Sequence, residues 1–408
     1  MTPTIRAITL GELPAFVEAM TTTFFERPDA AKVAAELEPL WDLGRCHAAF
    51  DGARMCGTFR SWATELTVPG GERLPGSAIA GVSVLPTHRR RGILRALAAA
   101  EHGAIRERGE VVGLLFSAEY PIYGRFGYGP STRQATWTLD ALGTAFHGTS
   151  TGSIEIVTPN ADAAAAMRAV FEAVRLTSPG EIRRRDFRWE FDLGRATAWG
   201  DPWKGFVALR RDGAGAVDGY VRYHAEDRWE QRQPRMLVIV DDLHATSDEA
   251  YLALWRFLAE ADLVGAIKAE RRSVAERLPW FVVNARAAVV SEVGDGLWVR
   301  LFDMPRALEA RTYEREARLV LEVVDPDGGD GRQRLALDAG PDGATCRPTD
   351  RSADLTVPVA ALGAAYLGGT RLRDAVVAHG HDEHADGALT RADALFRTAN
   401  EPWCSTFF

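Results

Sequence analysis

The chain has 408 residues and a mass of 44.6 kDa, with 46% hydrophobic and 25% charged residues. That balance excludes a disordered or collagen-like chain and suits two or three domains, each with a core. The net charge of −8 and pI near 5.7 argue against non-specific binding to nucleic acid or anionic membrane and admit a cationic partner.

Leu37–Trp41 closes an early helical region, and His47–Phe50 followed by Gly52 reads as a strand entering a turn. Ser77–Leu85 is strand-like, and Pro86, which has no N–H to donate, ends it. Ile93–Arg108 carries apolar residues at helical spacing. Val111–Phe116 is a short continuous apolar run, the pattern of a strand buried on both faces, and Gln134–Leu139 alternates like a half-buried one. This first mixed unit is placed at residues 1–145.

The Gly/Ser/Thr-rich stretch Gly148–Ser153 reads as a linker. The same grammar then returns: a helix at Ala161–Leu176 and strands at Gly205–Leu209, Gly219–Tyr223 and Met236–Val240. A helix at Asp248–Leu263 follows, with Thr246 and Glu249 as a capping box, then a strand at Val264–Ala269. This second unit is set at 146–285. Beyond it, strands at Leu297–Leu301, Leu319–Val324 and Arg334–Leu337, turns such as DPDGGDG, and helices at Val359–Leu367 and Arg391–Thr398 read as a third, α+β domain at 286–408. The expected fold class is mixed α/β.

Three segments carry chemistry. In Gly81–Arg95 (GVSVLPTHRRRGILR) a strand ends and Arg89-Arg90-Arg91-Gly92 opens a helix. Free N–H groups, the helix dipole and a glycine that lets backbone come close make an anion site there, although a solvated basic turn would look alike. Tyr120–Gly129 (YPIYGRFGYG) leaves the buried strand as a loop of aromatics and glycines. Tyr123 is its candidate proton donor, and Tyr128 reads as an aromatic plug. The sequence ends on EPWCSTFF, whose aromatics would sit in water unless tucked into a pocket, taking the α-carboxylate of Phe408 with them.

Together these segments resemble the enhanced intracellular survival (Eis) family of GNAT-type N-acetyltransferases. The carriers are Val82-Ser83-Val84 with Thr87–Gly92, and Ile122–Pro130. Weaker carriers are Gly296–Leu301 with Pro305 and Ala307–Arg311, Tyr366–Gly369 and the Phe terminus. The resemblance implies tandem GNAT-like domains followed by a sterol-carrier-like domain, and a homo-hexamer. It implies acetyl-CoA as co-substrate, lying along Val82 and Val84, with its pyrophosphate at the loop of Arg89, Arg90 and Gly92; Ser83, Arg91 and Ile93 beside them are further expected cofactor-binding residues. Glu119 keeps an acid that the family shows beside this site, while Ala118 departs from a frequent serine. The resemblance makes Tyr123 the general acid and the Phe408 carboxylate the base, with Phe24 and Glu26 loosely matching the family's substrate wall for a cationic amine such as an aminoglycoside. Glu401 is a further candidate acid for holding that substrate, although both glutamates would look alike as surface carboxylates. The second domain shows no R-x-x-G turn, so no second CoA site is expected.

An amine of pKa about 10 must lose a proton to attack a thioester, and a carboxylate of pKa about 3.5 is a weak base for it. It serves if the proton leaves as the C–N bond forms, and burial beside Phe407 would raise its pKa. Direct transfer needs no covalent acyl-enzyme, and backbone N–H groups near Val84 would face the developing oxyanion. Acetylation of protein lysines, or lipid carriage by the third domain beside a vestigial first, are the rival readings.

Other signals point elsewhere. His379, His381, Asp382, Glu383 and His384 lack the H-E-x-x-H spacing and read as a solvated loop, so no metal is expected. Arg183-Arg184-Arg185 with Phe187 and Trp189 alternates with acids and reads as a solvated helix face, not a nucleic-acid patch. The cysteines (Cys46, Cys56, Cys346, Cys404) form no C-x-x-C pair, which suggests neither a disulfide framework nor a zinc ribbon. The start lacks a signal-peptide pattern and no apolar run reaches the roughly 20 residues of a spanning helix, so a cytoplasmic protein is expected.

Overall fold

The chain is described from a computed structural model over residues 3–197, 200–327 and 331–408. β1 (Thr4–Ala7) precedes α1 (Leu13–Thr23) and α2 (Ala30–Leu37), the latter capped by Asp29 accepting from the Lys32 N–H. β2 (Cys46–Asp51), β3 (Arg54–Thr67) and β4 (Arg73–Val84) pair antiparallel in turn, and α3 (Ile93–Glu107) crosses over to β5 (Val112–Phe116), parallel to β4. α3 turns Ile93, Leu97, Ala98 and Ile105 towards Leu115 and Trp298 in one core. Each large side chain so buried contributes roughly 1.5–3 kcal/mol. β6 (Gly129–Pro130) and β7 (Arg133–Asp140) follow.

The middle of the chain holds β8 (Ser153–Val157), α4 (Ala161–Arg175), α5 (Asp186–Asp192), β9 (Phe206–Arg211) and β10 (Val217–Glu226). A small hairpin of β11 (Trp229–Glu230) and β12 (Gln233–Pro234) leads to β13 (Met236–Ala245), α6 (Asp248–Ala259) and β14 (Val264–Arg272). The cap of α6 is not the expected box. Ser247 accepts from the Ala250 N–H at 3.1 Å, Thr246 is bonded through its N–H and hydroxyl to the Asp218 carbonyl, and Glu249 accepts from Thr151 and Arg210. Arg183–Arg185 also departs from its reading: these residues precede α5, and Arg184 and Trp189 are buried.

α7 (Leu278–Phe281) and β15 (Ala288–Asp295) lead to β16 (Leu297–Leu301) and α8 (Met304–Ala310). β17 (Ala317–Val324), β18 (Arg332–Gly340), β19 (Gly343–Pro348), β20 (Leu355–Pro358), α9 (Val359–Ala365), α10 (Leu372–His379), β21 (Asp382–Glu383) and α11 (Ala388–Phe396) complete the chain.

Among the described residues the large sheets run β1-β2-β3-β4-β5-β16-β6, β15-β7-β14-β13-β10-β9-β8 and β19-β18-β17-β20-β21. Two strands sit where the sequence does not put them. β7, expected in the first unit, pairs with β14 and β15 in the second sheet. β16, expected in the third domain, lies between β5 and β6 in the first. Alternation tells which faces of a strand are covered, whereas its partner depends on where the chain returns in space. One core then joins first sheet and third unit, packing Val112, Leu114, Leu297 and Val299 with Leu362, Tyr366 and Phe396. Among the described residues no helix is long and apolar enough to cross a membrane.

Candidate active site

β4 and β5 pair from Gly76 opposite Val112 to Ile79 opposite Leu115, then part. Beyond Ile79, β4 keeps β3 on one edge, across a register shift between Thr58 and Arg60, and has no strand partner on the other among the described residues. Gly81, at φ +60, lies at this irregularity against the Met20 sulfur. The Ser83 hydroxyl is held by Thr58 Oγ1 at 2.7 Å. The separation opens a cavity of about 1050 Å³. Every residue from Ile79 to Val84 lines it, and because side chains alternate across a strand, the backbone edge itself faces the space.

At one end lies the turn after β4. Arg90 (φ +64) and Gly92 (φ +77) adopt left-handed backbone, and Gly92 is the residue before α3, with no side chain capping the first N–H groups of the helix. Those groups and the positive end of the dipole suit a phosphate. Arg89, Arg90, Gly92 and Ile93 line the cavity, joined by Arg95 and Arg125, which the sequence reading did not single out. Arg91 is not among them. Its guanidinium pairs with Asp51 on β2 at 3.0 Å, bracing the turn from the far side.

The loop after β5 supplies the phenol. Ile122 N–H bonds back to the Glu119 carbonyl, and a single helical turn over Gly124–Phe126 begins at Tyr123. Buried Arg300 of β16 donates to the Phe126 carbonyl at 2.5 Å and to both carboxylate oxygens of Asp325 at 2.7 and 2.9 Å. Gly127, at φ +80, leaves room for that guanidinium, which a Cβ would displace. Burial, and then the charge of Glu119, push the Tyr123 phenol up to about 12, so it stays protonated at neutral pH. Tyr128 is buried as read. Asp327 accepts from His102 Nδ1 at 3.1 Å, leaving Nε2 to accept from the Tyr128 hydroxyl at 3.2 Å.

The chain end enters the same cavity. The Phe408 ring meets Trp62 edge-on at 4.9 Å and Phe116 at 5.2 Å, and Phe407 lies 5.0 Å from Phe116. Tyr123, Glu119, Phe24, Phe407 and Phe408 thus line one space with Val82, Ser83 and Val84. The other expected acids are elsewhere: Glu401 pairs with Arg133 at 3.0 Å, and Glu26 is exposed, and neither lines the cavity. Phe24 keeps Phe25 as a neighbour on the wall in place of Glu26. Trp62, Phe116 and Arg300 escaped the sequence reading because strand residues carry no local mark of what lies across the fold. In the histidine-rich stretch His384 Nε2 meets the Thr356 hydroxyl at 2.9 Å, and the His379 side chain lies outside the described residues.

Family models of an acetyltransferase (GNAT) domain match residues 4–131 and 180–301, and one of a sterol carrier protein domain matches 304–405. An uncharacterized N-acetyltransferase of Streptomyces avermitilis is 38% identical over 412 residues, 99% of this chain and 98% of that protein. The N-acetyltransferase Eis of Mycobacterium tuberculosis is 34% identical over 360 residues, 85% of this chain and 84% of its own. The chain belongs to the Eis family of N-acetyltransferases. The crystal structure of Eis1 from Mycobacterium abscessus superposes with a TM-score of 0.85 at 34% identity, over 99% of this chain and all of that one. This Eis-family chain is accordingly an acetyltransferase with two GNAT domains and a sterol-carrier-like domain, and GNAT domains use acetyl-CoA as co-substrate.

Proposed function

We propose that this enzyme transfers acetyl directly from acetyl-CoA to primary amines of polycationic small molecules such as aminoglycosides, at more than one position. The observation that carries the reading is the meeting of Tyr123, Phe408, the bare edge of β4 and the Arg89–Gly92 turn in one cavity. The bare edge and the left-handed turn fit a pantetheine arm and a pyrophosphate, and acetyl-CoA supplies the activated acyl group. The Phe408 carboxylate takes a proton from the attacking amine nitrogen as that nitrogen gains positive charge in forming the new C–N bond, and the C–S bond to CoA breaks. Tyr123 gives its proton to the departing sulfur. Backbone N–H groups on the edge near Val84 offer donors to the carbonyl oxygen as it gains charge.

The lining supports this substrate class. The side-chain acid in the cavity lining is Glu119, whose charge with that of the Phe408 carboxylate suits a cationic amine, while Phe24, Phe25 and Phe407 add aromatic surface that attracts cations. Family resemblance further supports a hexamer working in the cytoplasm, which light scattering of the purified enzyme would check for assembly. The test of function is mass spectrometry of an aminoglycoside incubated with enzyme and acetyl-CoA. Successive mass gains of one acetyl group are expected. Acetylation of lysine in a test protein, with the aminoglycoside unchanged, would transfer the reading to protein substrates.

A further inference from the structure

We infer that the second GNAT domain serves the reaction as the seat of the chain end, and that Arg184 and Arg188 are positioning residues that set Phe408 in the cavity. This rests on the reading of Phe408 as the base.

β13 and β14 pair in parallel from Met236 to Val240 and then diverge, as β4 and β5 do in the first domain. Here the divergence holds the tail. Trp403 stacks on His244 with ring centroids 5.9 Å apart, has Arg272 over its face at 4.8 Å, and donates its indole N–H to the Arg271 carbonyl at 2.9 Å. Its backbone N–H bonds to the Pro179 carbonyl at 2.9 Å. Buried Glu181 accepts from the Ser405 N–H at 2.8 Å and from its hydroxyl at 2.5 Å. Buried Arg184 donates to the Thr406 and Ser405 hydroxyls, each at 3.0 Å, and is held by Asp242 at 2.5 Å. Arg188 donates to the Phe407 carbonyl at 2.7 Å, in the peptide that joins the terminal residue.

Ring burial alone would hold the aromatic side chains but leave the backbone free to slide. These bonds instead grip Trp403, Ser405, Thr406 and Phe407 in succession, which removes slack from the last residues. The gripping segment is itself laid along β3: Gly180 N–H bonds to the Thr67 carbonyl at 2.8 Å, Thr67 N–H to the Glu181 carbonyl at 2.9 Å, and Arg183 N–H to the Glu65 carbonyl at 3.0 Å. β3 is the partner of β4, whose edge forms the cavity wall. Tail and wall are therefore set from one strand. A buried ion pair such as Arg184–Asp242 is a weak source of stability, and here it stands where the fold fixes a terminus.

Arg188 is partly exposed and Asp192, its other partner, also faces Arg184 and Arg222, so the full-length Arg188→Gln variant should fold. Its kcat for acetyl transfer should fall at least about tenfold, in line with the effect of a small misplacement of a reacting group. The KM for acetyl-CoA and the thermal midpoint should stay as in the parent. Arg188→Lys should restore most of the rate. Ser405→Ala, which loses the hydroxyl shared by Glu181 and Arg184, should behave like Arg188→Gln. Deleting Phe408 should lower kcat, and adding Arg188→Gln to that deletion should cost nothing more, because both act through one group. Additive losses, or parental kcat in both Arg188→Gln and Ser405→Ala while the deletion is impaired, overturn the positioning role alone. Parental kcat after deletion of Phe408 overturns the base and the positioning role with it.

Discussion

Tyr123 holds its proton at neutral pH because its loop places it out of water beside an acid. In the folded chain its phenol titrates at about 12, raised by burial and by Glu119, against about 10 for an exposed tyrosine. Between these values the folded state holds a proton that the unfolded state has lost. The contribution to stability is thus complete below pH 10 and disappears as pH climbs towards 12. In the proposed role as acid, Tyr123 therefore stays protonated, so kcat should show no loss from its ionisation below about pH 10, and Glu119→Gln should move that alkaline limb to lower pH. Tyr123→Phe should lower kcat by about 10²–10⁴ while acetyl-CoA still binds, as read by steady-state rates and calorimetry. Not every expected residue belongs to this site. Arg91 stands within a basic run whose members look alike in sequence, yet Asp51 claims it. Glu401 is adjacent to a tail that reaches the cavity, yet it faces Arg133.

Among the elements, the path from β4 through the turn to α3 was readable because its signals are local: a proline that ends a ladder, a glycine at positive φ, apolar residues at helical spacing. β16 was not. LWVRL reads as a buried strand, but nothing in it names β5 and β6 as neighbours, and the arginine inside it is legible only once Asp325 and the Phe126 carbonyl are seen around it. Arg300 ties the Tyr123 loop, the first sheet and the entry to the third domain at one point. Arg300→Met leaves the Asp325 carboxylate buried without its guanidinium, and loss of one partner of a buried pair costs about 3–5 kcal/mol. Urea unfolding should show that loss, and kcat should fall with it as the loop loosens. Close approach sets a similar limit where α9 meets the first sheet. A Cβ on Gly129 would collide with the Ala360 carbonyl, so that residue's lack of a side chain is what allows the third domain to dock.

For the whole molecule, exchange of strands makes the domains interdependent. β7 leaves the first unit for the second sheet, and β16 comes back after the second unit to sit inside the first. A chain cut after residue 131 therefore lacks an interior strand: β5 loses a neighbour and β6 loses the strand it pairs with. Such a fragment, although it spans a complete GNAT family match, should not fold, which circular dichroism and limited proteolysis would show. The intact chain should unfold in one thermal transition rather than three, since the shared core joins first sheet and third domain. Two separated transitions in calorimetry would contradict this. The tail adds a further tie, running from the third domain past the second and into the first.

The sequence by itself determined the tandem architecture, the basic glycine turn before α3, the tyrosine loop and the need of the terminal aromatics for cover. Each depends on bonds and backbone angles among residues a few positions apart, or on bulk apolar surface that must leave water. Tertiary structure alone decided which sheet receives β7 and β16, which arginine of Arg183–Arg185 turns inward, and which acids reach the cavity. Those outcomes depend on partners brought close only by folding: Asp242 stands 58 positions from Arg184, and Ser405 stands 221. Over such separations, local pattern gives a residue's character and the fold supplies its neighbour.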